Sequence, residues 1–349
     1  MVASILGIYV HVSQLGMIPI MQRKIANDKS VDIFYDKTIY NSLAASPLFF
    51  AILLLFDLNI AYLPFFFISS VALSVLNMDM TRYIVSKSYS KQVLLSIYSM
   101  LVILLFTVAF TKINYNGYSR ILGTSVVFIY ALYRIKFTHL CDLLVFYKKY
   151  FFIGLSVMLN SLLIMLFMQM DRFIISKYID YEAVGEYSVI AQFSGIIVII
   201  AAVMSKFLSP KIFCLKHKRE LILFLKTEYT KYMFISFGIM LIIILLPFLF
   251  NIEAIYGGGL VINRSVYVIL SVSLFLYSLI LPLNNIAHAF KFSRVLFIIS
   301  GFSLFLNTTV SILIVPSLGV IGVSIGTLLA CLVYYLLSLV NTYYVLEKI

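Results

Sequence analysis

Residues 295–315 read VLFIISGFSLFLNTTVSILIV, and residues 317–341 read SLGVIGVSIGTLLACLVYYLLSLVN, with only Pro316 between them. Neither stretch contains a charged residue. About 20 consecutive apolar residues form a helix that crosses the hydrocarbon core of a bilayer. The two stretches therefore predict neighbouring transmembrane helices. Pro316 is expected to open the second helix, and the GxxxG motif of Gly322 and Gly326 predicts close helix packing.

The remainder of the chain has the same apolar character. Of 349 residues, 63% are hydrophobic and 11% are charged, whereas about a quarter of the residues in soluble domains are charged. We predict an all-α polytopic membrane protein with about eleven transmembrane helices. The predicted spans are 3–20, 38–56, 58–78, 92–111, 118–135, 150–170, 183–205, 232–250, 261–287, 295–315 and 317–341.

Basic residues concentrate in every second connection between these spans. Of the 26 Lys and Arg residues, 21 fall in 21–37, 79–91, 134–149, 206–231, 288–294 and 342–349. Because cytoplasmic loops retain Lys and Arg, we expect a cytoplasmic C-terminus and an N-terminus on the outer side. The formal charge of +12 is explained in this way, so no nucleic-acid partner is expected.

The pattern G-x-Y-x4-Q occurs twice, in residues 7–14 and 185–192. Both copies begin a predicted span that runs from outside to inside, as a parallel repeat requires. The alignment predicts an N-terminal lobe in residues 1–140 with about five spans. It predicts a C-terminal lobe in residues 141–349 with six spans and a basic cytoplasmic segment, 206–231. The first lobe is then one helix short, and we expect that helix before Met1.

Several junctions between helices resemble one family of membrane proteins. Residues 171–178 and 182–188 resemble the seventh-to-eighth helix junction of the polysaccharide flippases, the O-antigen and repeat-unit exporters of the multidrug/oligosaccharidyl-lipid/polysaccharide exporter superfamily. Leu246-Pro247 followed by Tyr256-Gly257 is similar to the ninth-to-tenth junction. Residues 316–322 are similar to the P-x-x-G-x-x-G motif before the last helix. The likeness covers nearly the whole chain, apart from the first helix of the family.

The resemblance implies two six-helix lobes around a cationic cavity. It implies that the chain moves a polyprenyl-diphosphate-linked oligosaccharide across the bacterial inner membrane for surface polysaccharide assembly. The partners would be this lipid-linked glycan, the bilayer, and also a glycan polymerase with its chain-length machinery. The three cysteines follow no metal-ligand spacing, so no metal, cofactor or enzymatic chemistry is expected.

Polar residues in or near the spans are the candidate ligands for such a cargo. Arg23 and Lys206 occupy similar places in the two repeats and are the preferred diphosphate ligands, although basic residues at span ends, Arg134 among them, also serve as topology anchors. Asp171 is expected to cap the sixth span or to form a structural ion pair. The full set of predicted cargo-binding residues is Gln14, Arg23, Arg172, Gln192, Lys206 and His288, with interhelical packing as the alternative role for the polar ones.

Three other functions fit the same spans. A cation-coupled drug exporter of the same superfamily usually needs acids deep inside its spans, whereas Asp79 and Asp171, the nearest candidates, look terminal. A membrane glycan polymerase or ligase usually carries a large outer loop, and the longest outer connections here are only 171–182 and 251–260. An inactive, truncated flippase is the third alternative.

Overall fold

The protein folds as a set of α-helices, which a computed structural model describes for residues 9–10, 14, 17–25, 35, 37–43, 63–86, 88–112, 119–135, 140–249 and 263–349. No β-strand occurs within these ranges. A π-helical turn, Leu225–Tyr229, joins the helices Lys218–Phe224 and Thr230–Leu249. The helices are α1 (Met17–Ile25), α2 (Leu63–Val85), α3 (Tyr89–Lys112), α4 (Ser119–Ser125), α5 (Phe128–Arg134), α6 (Leu140–Tyr178), α7 (Tyr181–Cys214), α8 (Lys218–Phe224), α9 (Thr230–Leu249), α10 (Arg264–Ala289), α11 (Ser293–Leu318) and α12 (Val320–Lys348).

Within the described ranges, eight helical segments are long and apolar enough to cross a membrane. The expectation of an all-α polytopic membrane protein is thereby confirmed. The predicted spans 3–20 and 38–56 lie largely outside the described residues. The predicted span 118–135 is not one helix but two short ones, α4 and α5, separated by a turn at Val126 and Val127.

Several helices extend well beyond the predicted spans. The sixth span, predicted as 150–170, is part of α6, which has 39 residues and a length of about 58 Å at about 1.5 Å per residue. Hydropathy detects only the part of a helix that is apolar enough for the hydrocarbon core of a bilayer. The predicted span therefore does not include the polar ends of α6. The basic segment 206–231 is also mostly helical, with only residues 215–217 between α7 and α8.

The chain divides into two compact units, residues 1–162 and 163–349, with the division inside α6. The predicted lobe boundary, after residue 140, lies at the beginning of the same helix. The core of unit 1 contains Met17, Val71, Val75 and Ala131. The core of unit 2 includes one cluster around Tyr187, Tyr267 and Val323 and another around Tyr232, Leu283 and Val345.

Helix boundaries in unit 2 follow from a few local interactions. The Asp180 carboxylate accepts a hydrogen bond from the backbone N–H of Ala183 at 2.6 Å, which caps the N-terminus of α7. Pro316 does not open the last helix as predicted, because α11 continues through it to Leu318. The break occurs at Gly319, whose φ of 56° is a left-handed conformation that glycine adopts without steric cost.

A proline inside α10 is compensated by a tyrosine from α9. Pro282 has no N–H, so the carbonyl of Ser278 lacks its usual partner within the helix. The Tyr232 hydroxyl donates to that carbonyl at 2.7 Å. The Tyr229 hydroxyl donates to the next carbonyl, that of Leu279, at 3.2 Å. The two tyrosines therefore fasten α10 to α9 at the level of the proline.

The GxxxG motif brings α11 and α12 into close contact, as predicted. A Cβ atom added at Gly326 would lie 2.1 Å from Ser311 Oγ and 3.1 Å from the Ser311 backbone nitrogen. A Cβ atom at Gly322 would lie 3.0 Å from the backbone of Ile314. This approach places Thr327, the residue after Gly326, directly against α11.

Replacing Gly326 by alanine is expected to destabilise the protein, because the new methyl group must push α11 away from α12. The expected loss is about 1–3 kcal/mol of unfolding free energy, the range for overpacking, measured as a lower unfolding temperature in detergent. Gly238→Ala in α9 is the matched control, since its Cβ would meet nothing within 4 Å. Equal effects of the two substitutions would contradict the close approach.

Candidate functional site

Four helices of unit 2 meet at the carboxylate of Asp171. This residue lies in α6 about two turns before the helix ends, and its exposed fraction is 5%. The Tyr187 hydroxyl of α7 and Thr327 Oγ1 of α12 donate to Oδ2, the latter at 2.9 Å. Asn307 Nδ2 of α11 donates to Oδ1 at 3.1 Å. The helix continues past Asp171, so the residue does not cap the sixth span as expected.

Further contacts hold the Asn307 amide and the Thr327 hydroxyl in place. Ser311 Oγ donates to Asn307 Oδ1 at 3.2 Å, which leaves the Nδ2 group of the same amide directed at the carboxylate. Thr327 is positioned by the approach of α12 to α11 at Gly326. The oxygens gathered at Asp171 are those of its own carboxylate and of the Tyr187 and Thr327 hydroxyls, and oxygen is the ligand that hard cations prefer over sulfur and nitrogen.

Asp171 is surrounded by neutral groups rather than by a counter-ion. Among the described residues, no basic side chain forms an ion pair with it. The neighbouring Arg172 points elsewhere, because adjacent side chains on a helix diverge by about 100°. It donates from Nε to Ser188 Oγ at 3.1 Å and from Nη1 to Gln169 Oε1. The interhelical ion pair expected at Asp171 is therefore not formed in unit 2.

A cavity of about 180 Å³ adjoins the carboxylate. Its volume is sufficient for several water molecules, each of which takes up about 30 Å³ in the liquid. One side is apolar, formed by Phe167, Leu270 and Leu274. The polar side consists of Gln169, Asp171, Arg172, Tyr187 and Thr327. Water or a small cation in this cavity would have direct access to Asp171.

Two of the predicted cargo-binding residues lie on the surface of α7. Gln192 and Lys206 are both exposed. They are 14 residues apart, close to four full helical turns, so they share one face of the helix. Neither residue lines the Asp171 cavity.

The other predicted residues are distributed over both units. Gln14 is buried, and its Nε2 atom has no partner among the described residues. Arg23 belongs to α1, but its side chain lies outside the described part of the structure. His288 is buried near the end of α10, where its Nδ1 atom is 3.0 Å from Ser293 Oγ. Of the predicted cargo-binding residues whose side chains are described, Arg172 alone lines the cavity, beside Asp171.

Unit 1 contains a second buried acid, and this one is fully paired. Asp79 of α2 has an exposed fraction of 0%. Arg134, at the end of α5, donates to both carboxylate oxygens, at 2.5 and 2.6 Å. The hydroxyls of Tyr35 and Tyr130 add two more hydrogen bonds, at 2.7 and 2.5 Å. Arg134 is therefore half of an interhelical ion pair and not the headgroup anchor that was expected.

Sequence reasoning did not identify Tyr187, Asn307 or Thr327 as partners of Asp171. A signal existed for Asn307, which stands in the middle of the uncharged stretch 295–315, where a polar amide needs a partner. The other two are a tyrosine and a threonine in apolar helices, and many such residues only pack. Their role depends on contacts across 16 and 156 positions of the chain.

Comparison with known proteins identifies the fold. No protein-family model matches the chain, and no curated protein sequence does. VcmN, a MATE transporter of Vibrio cholerae, in its bent form is similar with a TM-score of 0.74 and 15% identity, over 99% of this chain and 86% of VcmN.

Two further structures show the same likeness. An outward-facing multidrug resistance MATE family transporter of the MOP superfamily has a TM-score of 0.68 and 14% identity, over 99% of this chain and 86% of its own. The MATE transporter ClbM in complex with Rb⁺ has a TM-score of 0.64 and 16% identity, over 100% and 88%. The chain therefore has the fold of the MATE transporters.

Replacing Arg134 by leucine is expected to destabilise unit 1, because it leaves the Asp79 carboxylate buried with only two tyrosine hydroxyls. Breaking a buried pair in this way costs about 3–5 kcal/mol, measured as a drop in unfolding temperature. The double variant Asp79→Asn/Arg134→Leu should recover part of that loss, since no buried charge remains. A double variant that loses the sum of both single effects would contradict the pairing.

Proposed function

We propose that this chain is an alternating-access membrane transporter coupled to a cation that binds at Asp171. The observation that carries the proposal is a carboxylate, 5% exposed, that accepts hydrogen bonds from neutral donors on three other helices in a protein with the MATE fold. Acidic residues inside membrane proteins are rare and usually belong to an ion or proton pathway.

The electrostatics of Asp171 favour a cation as its occupant. An ionised carboxylate away from water is costly unless it is paired, and three neutral hydrogen bonds offset only part of that cost. A proton removes the charge, and Na⁺ balances it with oxygen ligands already present. Either ion therefore stabilises the packed arrangement of α6, α7, α11 and α12, and its release weakens that arrangement.

The difference in helix packing between the cation-bound and the cation-free protein supplies a coupling mechanism. A ligand shifts a conformational equilibrium only by its difference in affinity between the two states. The cation binds most tightly while Asp171 is buried between α6, α7, α11 and α12, because burial penalises the bare charged carboxylate more than its three hydrogen bonds stabilise it. A conformation that separates α11 or α12 from α6 would admit water to Asp171 and release the cation, so an ion gradient can drive the cycle in one direction.

The position of Asp171 supports the alternative function of a cation-coupled drug exporter. The sequence argument against it was that the acids looked terminal, and that argument does not hold for a residue buried among four helices. The solved neighbours include a multidrug resistance transporter and one in complex with Rb⁺. We accordingly favour export of organic cations or other drug-like compounds over the flippase that the sequence suggested first.

Export of a lipid-linked glycan is the second candidate. Lys206 and Gln192 lie on one exposed face of α7, where a lysine suits phosphate and an amide suits sugar hydroxyls. The formal charge of +12 favours an anionic cargo as well. Both candidates place the protein in the bacterial inner membrane. The glycan polymerase alternative is weaker, since only Ile179 and Asp180 separate α6 from α7.

The function is tested in proteoliposomes with ethidium as the organic cation. The wild type should accumulate ethidium when a proton or Na⁺ gradient is imposed. Asp171→Asn should lower that gradient-driven accumulation about tenfold or more, the size of a typical coupling free energy. Glu228→Gln, at a carboxylate that pairs with Lys211 at 3.0 Å, is the matched control and should transport normally.

Measurements on the wild type and the same variants distinguish the two cargoes. Full gradient-driven transport by Asp171→Asn would overturn the cation site. If the wild type moves no ethidium but restores surface glycan to a strain that lacks its repeat-unit exporter, the flippase is the correct function. In that case Lys206→Ala should reduce glycan recovery at unchanged protein abundance.

A further inference from the structure

A row of buried polar side chains runs along α12 away from the Asp171 site. Their spacing of three or four residues places them on one face of the helix. Every member has an exposed fraction of 4% or less. From first to last, the row covers about 22 Å at about 1.5 Å per residue. Its members are Thr327, Cys331, Tyr334, Ser338 and Thr342.

The row begins at the functional carboxylate. Thr327 donates directly to Asp171. One turn further, Cys331 lies on the same face of α12 and is fully buried. Cys331 and Tyr334 pack in one buried cluster with Tyr277 of α10. The row therefore passes through a buried cluster whose apolar members include Phe167, Ile280 and Ile299.

The row then meets α10 at Asn284. The Asn284 Nδ2 atom donates to the Tyr334 hydroxyl at 3.3 Å. The adjacent Asn285 donates from Nδ2 to Ser205 and Ser209 of α7, at 3.0 and 3.2 Å. Polar groups of α7, α10 and α12 therefore converge at this level, toward the end of α12 at which Lys348 lies.

One atom of the row and one atom of Asn284, beside it, lack a hydrogen-bond partner among the described residues. They are Asn284 Oδ1 and Ser338 Oγ, both buried. Their side chains are only 8% and 1% exposed. An unsatisfied buried polar group costs about 1–3 kcal/mol, and a buried water normally removes that cost by making about three hydrogen bonds. Packing alone explains Thr342, which bonds to its own helix, but it leaves these two atoms without partners.

We propose that this row, with ordered water at Asn284 and Ser338, is a path along which protons reach Asp171 from the Lys348 end of α12. The inference rests on the proposed function and names the coupling cation as a proton. A proton enters through the water at Ser338, each hydroxyl or water passes on one proton as it accepts another, and the Asp171 carboxylate becomes neutral. Na⁺ would not follow, because a hard cation needs about six oxygen ligands and the path includes a thiol.

Two titratable groups outside the path lie beside Asp171, and Cys331 lies one turn along the path from Thr327. Tyr187 donates to the carboxylate, and Arg172 is next to it along α6. Arg172 is already protonated and donates to Ser188 and Gln169, so it does not take up the proton. The neutral Tyr187 and Cys331 leave Asp171 as the group that accepts the proton.

Infrared spectroscopy of the reconstituted full chain tests the path without a known cargo. The protonated Asp171 carboxyl is assigned as the band that disappears in Asp171→Asn, and its shift is followed after a change from H₂O to D₂O. Asn284→Leu/Ser338→Val, which removes the water-binding groups, should slow this exchange about tenfold, equivalent to a barrier increase of about 1.4 kcal/mol. Ser273→Val is the matched control, at a serine buried in α10 that bonds to Ile269, and should leave the exchange rate unchanged.

The outcomes separate the path from the function on which it rests. An Asp171 band whose exchange rate is the same in the double variant overturns the path and leaves the cation site in place. An exchange slowed equally by Ser273→Val also overturns it, since any change in packing would then suffice. If no pH produces a band that depends on Asp171, the proton-coupled form of the proposed function fails, and the path fails with it.

Discussion

A carboxylate with hydrogen-bond donors but no counter-ion is the interaction on which the C-terminal unit depends. Asp171 connects α6 to α7, α11 and α12 through Tyr187, Asn307 and Thr327. The close approach at Gly326 makes this arrangement possible, because it brings Thr327 and Asn307 within reach of the same side chain. A bound cation would remove the cost of keeping this buried carboxylate charged, and so would stabilise the packing of the four helices.

Asp79 shows what a buried acid looks like when its role is structural. It lies at 0% exposure in unit 1, and Arg134 bonds to both of its oxygens. That carboxylate needs no further cation, since its charge is already balanced. The two acids are of the same residue type and similarly buried, but Arg134 balances the charge of Asp79, whereas no basic side chain among the described residues forms an ion pair with Asp171.

The sequence predicts the helices far better than it predicts the site. Uncharged runs such as 295–315 and 317–341 are sufficient to locate α11 and α12, and the GxxxG motif predicts how closely they pack. Asp171 was expected at the end of a span, and not inside one, because Arg172 and Lys177 follow it and make the region resemble a polar helix end. The partners of Asp171 lie up to 156 positions away, and hydropathy carries no information about which polar side chains meet across that distance.

The central claim is that Asp171 takes up and releases a cation during transport. Currents recorded from proteoliposomes on a solid-supported membrane test it directly, because binding of an ion inside the protein moves charge even when no cargo is present. A rapid rise in proton or Na⁺ concentration should produce a transient current in the wild type and none in Asp171→Asn. Equal currents in the two proteins, or no current in either, would contradict the account.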